Sequence, residues 1–301
     1  MNGFWKPDYV DTFRKTFKIM ESLKILIPTD FSVQAEYAYL MVKKLEEKVA
    51  IEVHFLHVMG VPDTVFMDSL GQIQTCGEID VNYVLTQKEI AERKLTEIKS
   101  LYGDQIHTHL VLGKTTDAIL DFSNQNHFDL IVMGTKGAWG FSETVSGSET
   151  QIVARRSKTP VLSLMCDRSD LSINNILFVH DFSNPVKEEL KLLQKLRKAF
   201  DMKIHLLQIT SQKVKDTTRN VELNMKAFAN LNDLTNYECH VINDKDVENG
   251  VIHFNQMHDM DLVYIGTHGK GGLFHRSATE KLINHLFKPL ISFHLNNKVQ
   301  S

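Results

Sequence analysis

Apolar residues are distributed along this chain in two recurring ways. Short continuous runs such as KILI (from Lys24), VHFLHV (from Val53), DLIVM (129–133) and PVLSL (160–164) are rich in Ile, Val and Leu. Runs of this kind suit strands buried on both faces of a parallel sheet. Between them, the stretches 33–48, 83–101 and 185–200 place Leu and Ala at three- and four-residue spacing with Lys and Glu elsewhere, which predicts amphipathic helices. Strand and helix alternate throughout, so the expected architecture is an open α/β sandwich with right-handed crossovers.

The pattern is written twice. KILIPTDFSVQAEYAYLMVKKLEEKVAIEVHFLHV, from Lys24, returns as NILFVHDFSNPVKEELKLLQKLRKAFDMKIHLLQI, from Asn175. DLIVMGTKG (129–137) returns as DLVYIGTHG (261–269), and TPVLSL (159–164) as KPLISF (288–293). Asp30 and Asp181, each followed by Phe-Ser, fall where a strand hands over to a helix, and Ser32 and Ser183 are natural N-caps. The first residues stand outside the repeat. Val10, Phe13, Phe17 and Met20 have helical spacing, read either as a short helix packed on the body or a partner, or as a stretch upstream of a start at Met20.

A chain of 301 residues suits two domains. Its 34 basic and 37 acidic residues nearly cancel, which argues against nucleic acid or an anionic membrane as partner. No apolar stretch approaches the ~20 residues needed to span a bilayer, and MNGFWKPDYVDTFRKTFK lacks a signal peptide's apolar core. A cytoplasmic protein is expected. Cys76, Cys166 and Cys239 are far apart and form no C-x-x-C pair, so neither a disulfide framework nor a thiolate metal site is implied.

The candidate chemistry lies in GTKGAWGFSETVSGSET (134–150), a glycine- and hydroxyl-rich loop that follows an apolar strand. Ligands of open parallel sheets collect outside the carboxyl ends of the strands. Glycines let successive N–H groups converge on phosphate oxygens, while Ser148 and Thr150 add hydroxyls at the start of the helical stretch QIVARR, where the dipole favours an anion. A strained solvent turn is the alternative reading of the same glycines.

The spacing Gly134-x2-Gly137-x9-Gly147-Ser148, with Pro28-Thr29-Asp30 after the first strand, resembles the nucleotide-binding universal stress proteins. The resemblance runs from Ser22 to Asn296 as two tandem family domains, 22–169 and 170–301, behind an extension over 1–21. It implies two open five-stranded parallel sheets in the order 3-2-1-4-5 with helices on both faces, an adenine nucleotide alpha hydrolase-like fold. It further implies that Pro28, Thr29 and Asp30 line adenine and ribose, that Val58 walls the adenine, and that Met133 and Gly134 close the ribose side. Gly137, Gly147, Ser148, Glu149 and Thr150 would meet the phosphates of ATP, or of AMP or ADP, with Mg2+ one answer to the Glu149 carboxylate. Family dimers pair through the last strand, and VLSLM and LISFH would reproduce that pairing within one chain, with a homodimer or an unidentified protein as further partner.

Counting forward from Gly266 and Gly269, the second copy has Thr279 and Glu280 where the first has Gly147 and Ser148, so it is not expected to bind ATP in the same way. Nine of the fourteen histidines fall in that half, His268 and His275 among them. No H-x-x-x-H or His with a carboxylate at helical spacing assembles a ligand triad there, and His107-x-His109 reads as one face of a strand, so no metal site is expected. Phosphoryl transfer wants a phosphate-binding lysine and a magnesium-holding Ser/Thr and acid. No G-x-x-x-x-G-K-[ST] or G-x-S-x-G is present, and Lys136 reads as a solvated charge. The expectation is a protein that holds a nucleotide in a stress-response or signalling role, without catalytic residues and not an enzyme. An interaction scaffold without nucleotide, or a slow ATP hydrolase, are the alternatives.

Overall fold

A computed structural model describes residues 22–294 apart from 63, 69, 71, 77–78, 136–145, 183, 211–214 and 268–272; at 146–148, 215–219 and 273–277 it describes the backbone alone. The expected N-terminal helix and Ser183 cap lie outside the described residues. The first half runs β1 (Leu23–Pro28), α1 (Val33–Glu46), β2 (Ile51–Met59), β3 (Val65–Met67), β4 (Ile73–Thr75), α2 (Val81–Tyr102), β5 (His107–Leu112), α3 (Thr115–Gln125), β6 (Leu130–Gly134), α4 (Ser146–Arg156) and β7 (Val161–Leu164). The second runs β8 (Asn175–Val179), α5 (Lys191–Phe200), β9 (Lys203–Thr210), α6 (Lys215–Leu231), β10 (Tyr237–Asn243), α7 (Val247–His258), β11 (Leu262–Gly266), α8 (Leu273–His285) and β12 (Leu290–Phe293).

The alternation of β1 explains the layering. Ile25 and Ile27 face one apolar cluster with Ala38, Val42 and Phe55, while Leu26 faces another with Ile119, Val153 and Ile131. A strand clothed on both sides needs apolar residues at consecutive positions, which is why these runs do not alternate with polar ones. Each half repeats one device at the strand entrance. The Asp129 carboxylate accepts from Lys24 N at 2.9 Å, and Asp261 accepts from Asn175 N at 2.8 Å.

The two five-stranded sheets are fused into one of ten strands, ordered β10-β9-β8-β11-β12-β7-β6-β1-β2-β5. All its ladders are parallel except the seam, where β12 and β7 run antiparallel with Ile291 opposite Leu162. Ser163 Oγ donates to Leu290 O at 3.3 Å, and Ser292 Oγ donates to Val161 O at 3.4 Å, so the seam is a near two-fold relation between the copies. Arg155 and Glu280 bridge it at 3.3 Å, but both are about one-third exposed. Such a pair contributes under about 1 kcal/mol. Burial of Leu162, Ala154, Ile283 and Ile291 holds the seam instead.

Two departures from the sequence pattern have local causes. The helix expected over 185–200 begins only at Lys191. Buried Asn232 claims the preceding backbone, accepting from Glu188 N at 2.7 Å and donating to Val186 O at 2.9 Å. The β3–β4 hairpin, whose three-residue strands are too short to leave a periodic signal, is inserted before α2.

Candidate functional site

The strand order reverses beside β1, because β2 lies to one side of it and β6 to the other. Above that point, at the carboxyl ends of β1, β2 and β6, the described residues enclose a cleft of about 140 Å³. Its floor and walls include Pro28, Thr29, Asp30, Val58, Met133, Gly134, Glu149 and Thr150. These are eight of the eleven residues singled out in the sequence. Gly137 lies outside the described residues. Gly147 and Ser148 belong to the first turn of α4, which starts at Ser146 rather than at Gln151.

The turn after β1 is tightly specified. Thr29 N donates to Leu56 O at 2.8 Å, extending the ladder past Pro28. Thr29 Oγ1 accepts from Phe31 N, and Asp30 Oδ1 accepts from Ser32 N, each at 3.0 Å. Between them Phe31 takes φ 63°, the left-handed region that a bulky residue enters only under constraint. The side chain of Phe31 packs on the His57 ring at 4.4 Å, and His57 Nδ1 donates to Thr29 O at 2.8 Å. The result is an exposed Asp30 held at the cleft by a rigid turn.

Two of the expected roles change. Gly134 is expected from the sequence to be glycine for the sake of a ligand, but a Cβ there would sit 2.1 Å from Gln34 O in the first turn of α1. Close packing of β6 under α1 demands glycine with or without a ligand. Thr150 is buried and its hydroxyl donates to Gly134 O at 3.3 Å, so it clamps α4 to the strand end and does not offer a free donor to phosphate.

Glu149 faces the cleft. Loss of hydration raises its carboxyl above the usual range, opposed by a hydrogen bond with Thr115 and reinforced by the nearby Asp30 charge. Beside Ser32 and Ala35 at the start of α1, the lining also takes in Thr115, Leu56, His57, Ile119 and Gln34. None stands out in the sequence, because each is an ordinary residue that only sheet order and helix placement bring to this edge.

The second copy is corrected in register. Buried Thr279, Leu282 and Ile283 on α8 repeat the positions of Thr150, Val153 and Ala154 on α4. The counterpart of Gly147 is therefore Arg276, and that of Glu149 is Ala278; the loop before α8 is three residues shorter than the one before α4. Glu280 corresponds to Gln151, and its carboxylate meets Arg155 across the seam. At the first turn His180 replaces Thr29, and Phe182 is fully buried against Phe178 and Phe228.

Among the described residues no helix is long and apolar enough to cross a membrane. The model of the universal stress protein family matches residues 22–164. A universal stress protein of Methanocaldococcus jannaschii is 30% identical over 149 residues, covering 46% of this chain and 92% of that one. A second from the same organism is 29% identical over 142 residues, covering 46% and 79%. The structure of a universal stress protein from Archaeoglobus fulgidus superimposes with a TM-score of 0.68 over 91% of this chain and 97% of that one. At 18% identity that likeness speaks for the fold, and it extends the fold across both halves. With the reversal-point cleft and the doubled strand order, these matches place the chain in the universal stress protein family.

Proposed function

We propose that the first half binds an adenine nucleotide, ATP or its relatives ADP and AMP, as a structural or signalling ligand without turning it over. The observation that carries this reading is the cleft at the strand-order reversal, lined by Thr29, Asp30, Val58 and Met133. Leu56, Val58, Ile119 and Met133 offer apolar surface to a purine. Asp30 offers an acceptor to ribose hydroxyls, and the first turn of α4 presents N–H groups and a dipole suited to phosphate.

The carboxylates of Asp30 and Glu149 disfavour a bare triphosphate, so ATP is taken up together with a divalent cation such as Mg2+.

Calorimetric titration of the full chain with ATP, with and without Mg2+, tests the proposal. Saturable heat is expected, with higher affinity in Mg2+. Asp30→Ala removes a charged acceptor and is expected to weaken binding about 10–100-fold. Gly147→Val is expected to abolish retention of nucleotide through purification. Wild-type protein that gives no heat at millimolar ATP, or Asp30→Ala with unchanged affinity, overturns the reading.

A further inference from the structure

The repeat carries a second set of side chains that the nucleotide cleft does not use. On the face covered by α3 in the first half and by α7 in the second, near the amino ends of the strands, each half pairs two histidines across its outermost ladder. His54 Nδ1 lies 2.9 Å from His109 Nε2, and His205 Nδ1 lies 3.0 Å from His240 Nε2. The surroundings differ. In the first half His107 stands opposite His54, Glu52 is drawn to the far nitrogen of His54 at 2.7 Å, and the Lys24 ammonium is close by. In the second half Glu238 stands opposite His205, Lys203 replaces Glu52, and neutral Asn175 replaces Lys24.

Those exchanges turn a hydrogen-bonded pair into a convergent triad. Glu238 Oε2 lies 3.7 Å from His205 Nδ1 and 3.7 Å from His240 Nε2. With the two nitrogens 3.0 Å apart, the point in the plane of the three atoms that is equidistant from them lies about 2.0 Å from each, the length of a zinc bond, and tetrahedral coordination needs only that the exposed Glu238 carboxylate close by a few tenths of an ångström.

The outer partners have the orientation that metal ligands require. Asn175 Oδ1, 3.3 Å from His205 Nε2, accepts its proton and leaves the Nδ1 lone pair directed at the triad. Lys203 Nζ takes Glu238 Oε1 at 2.6 Å and leaves Oε2 to face the rings. Loss of hydration, and for His205 also the neighbouring His240, holds both imidazoles below the usual histidine range.

We infer that His205 Nδ1, His240 Nε2 and Glu238 Oε2 form a site for a divalent transition metal of the Zn2+ class at the outer edge of the second half. His240 holds its proton on Nδ1 in the loaded state. The fourth position is filled by water or by exposed His258, whose ring centroid is 5.8 Å from that of His240. Two histidines and one carboxylate with an open position are a donor set suited to Zn2+. In the first half the Glu52 carboxylate lies on the other side of His54, gathered with His107 at 4.0 Å and not with His109, so the His54–His109 pair has no carboxylate of its own and a lysine stands nearby.

The test uses the full chain stripped with a chelator and titrated with Zn2+ by calorimetry, and with Co2+ as a visible-absorption probe of tetrahedral coordination. One equivalent is expected to bind, with the absorption of a tetrahedral N/O site. Asn175→Leu should weaken Zn2+ about 10–100-fold, as loss of an outer partner does. Glu238→Gln, at an exposed position that does not threaten folding, should weaken it further, and His54→Ala should leave the stoichiometry at one. Wild-type protein that takes up no Zn2+, a Glu238→Gln variant of unchanged affinity, or loss of the ion on His54→Ala overturns the assignment.

Discussion

Gly134→Ala is expected to lower the unfolding midpoint of the nucleotide-free protein by about 5–10 °C, equivalent to a loss of roughly 2–3 kcal/mol. The added methyl would fall 2.1 Å from Gln34 O and 2.5 Å from Gln34 C, both backbone atoms of the first turn of α1. A flexible side chain could swing away from such an approach, but a helix start cannot without lifting α1 from β6. The displacement would also loosen the buried Thr150 clamp on the Gly134 carbonyl and so disturb the cleft. Thermal unfolding of wild type and variant, both without nucleotide, measures the effect. A variant as stable as wild type that has lost only nucleotide affinity would restore the ligand-contact role on the ribose side and sink the packing explanation.

Stability should also fall as the pH drops from about 6.5 to about 4 with metal chelated. In the unfolded chain each imidazole takes its proton near pH 6.5. In the folded protein burial, with the charges of His54, His107 and Lys24, holds His109 down to about 4. Burial likewise lowers His54, which Glu52 partly offsets while His107 and Lys24 add to the shift. His205 and His240 are lowered for the same first reason. Between those limits the unfolded state binds more protons. The stability is therefore complete above pH 6.5 and is lost as the pH falls through the folded-state values.

At ~1.4 kcal/mol per unit, the His109 shift alone corresponds to about 3 kcal/mol, reduced to nearer ~2 by water reaching its partly exposed ring. Circular dichroism melting across this window, compared with His109→Phe, is the measurement. The variant should show the shallower pH dependence, since Phe122 and Phe128 already form an apolar surround. A midpoint independent of pH in both proteins would exclude this account.

Much of the cleft is legible in the amino-acid sequence. Pro28-Thr29-Asp30 follows an apolar run, and a turn there must open at the carboxyl end of a strand, so its place in the cleft follows from local pattern and parallel topology. Glu149 is legible as a misfit, a carboxylate at a proposed phosphate seat, and in the fold its burial near Asp30 raises its carboxyl above the usual range. Thr115 and His57 are not legible, since nothing near them in the chain marks them.

Counting from Gly266 misplaces the register of the second copy because it assumes loops of equal length. Only the burial of Thr279 and Leu282 on α8 reveals that three residues are missing. The histidine clusters leave no signal at the ligand spacings of a helix. On strands the signal is a residue two positions away, as in Glu238-x-His240, joined to a partner on the neighbouring strand by pairing register.

Periodicities of two and 3.6 residues are local properties of the backbone, so the runs of Ile and Val and the repeated Asp-Phe-Ser turn are enough to specify a doubled α/β unit and the end of the strands at which a ligand would sit. Distances between residues far apart in the chain are not local. The fusion of β7 to β12, the contact of Gly134 with Gln34, and the meeting of His205, His240 and Glu238 each depend on how elements register against one another. That register is fixed by the packing of whole faces, which no single stretch of sequence contains.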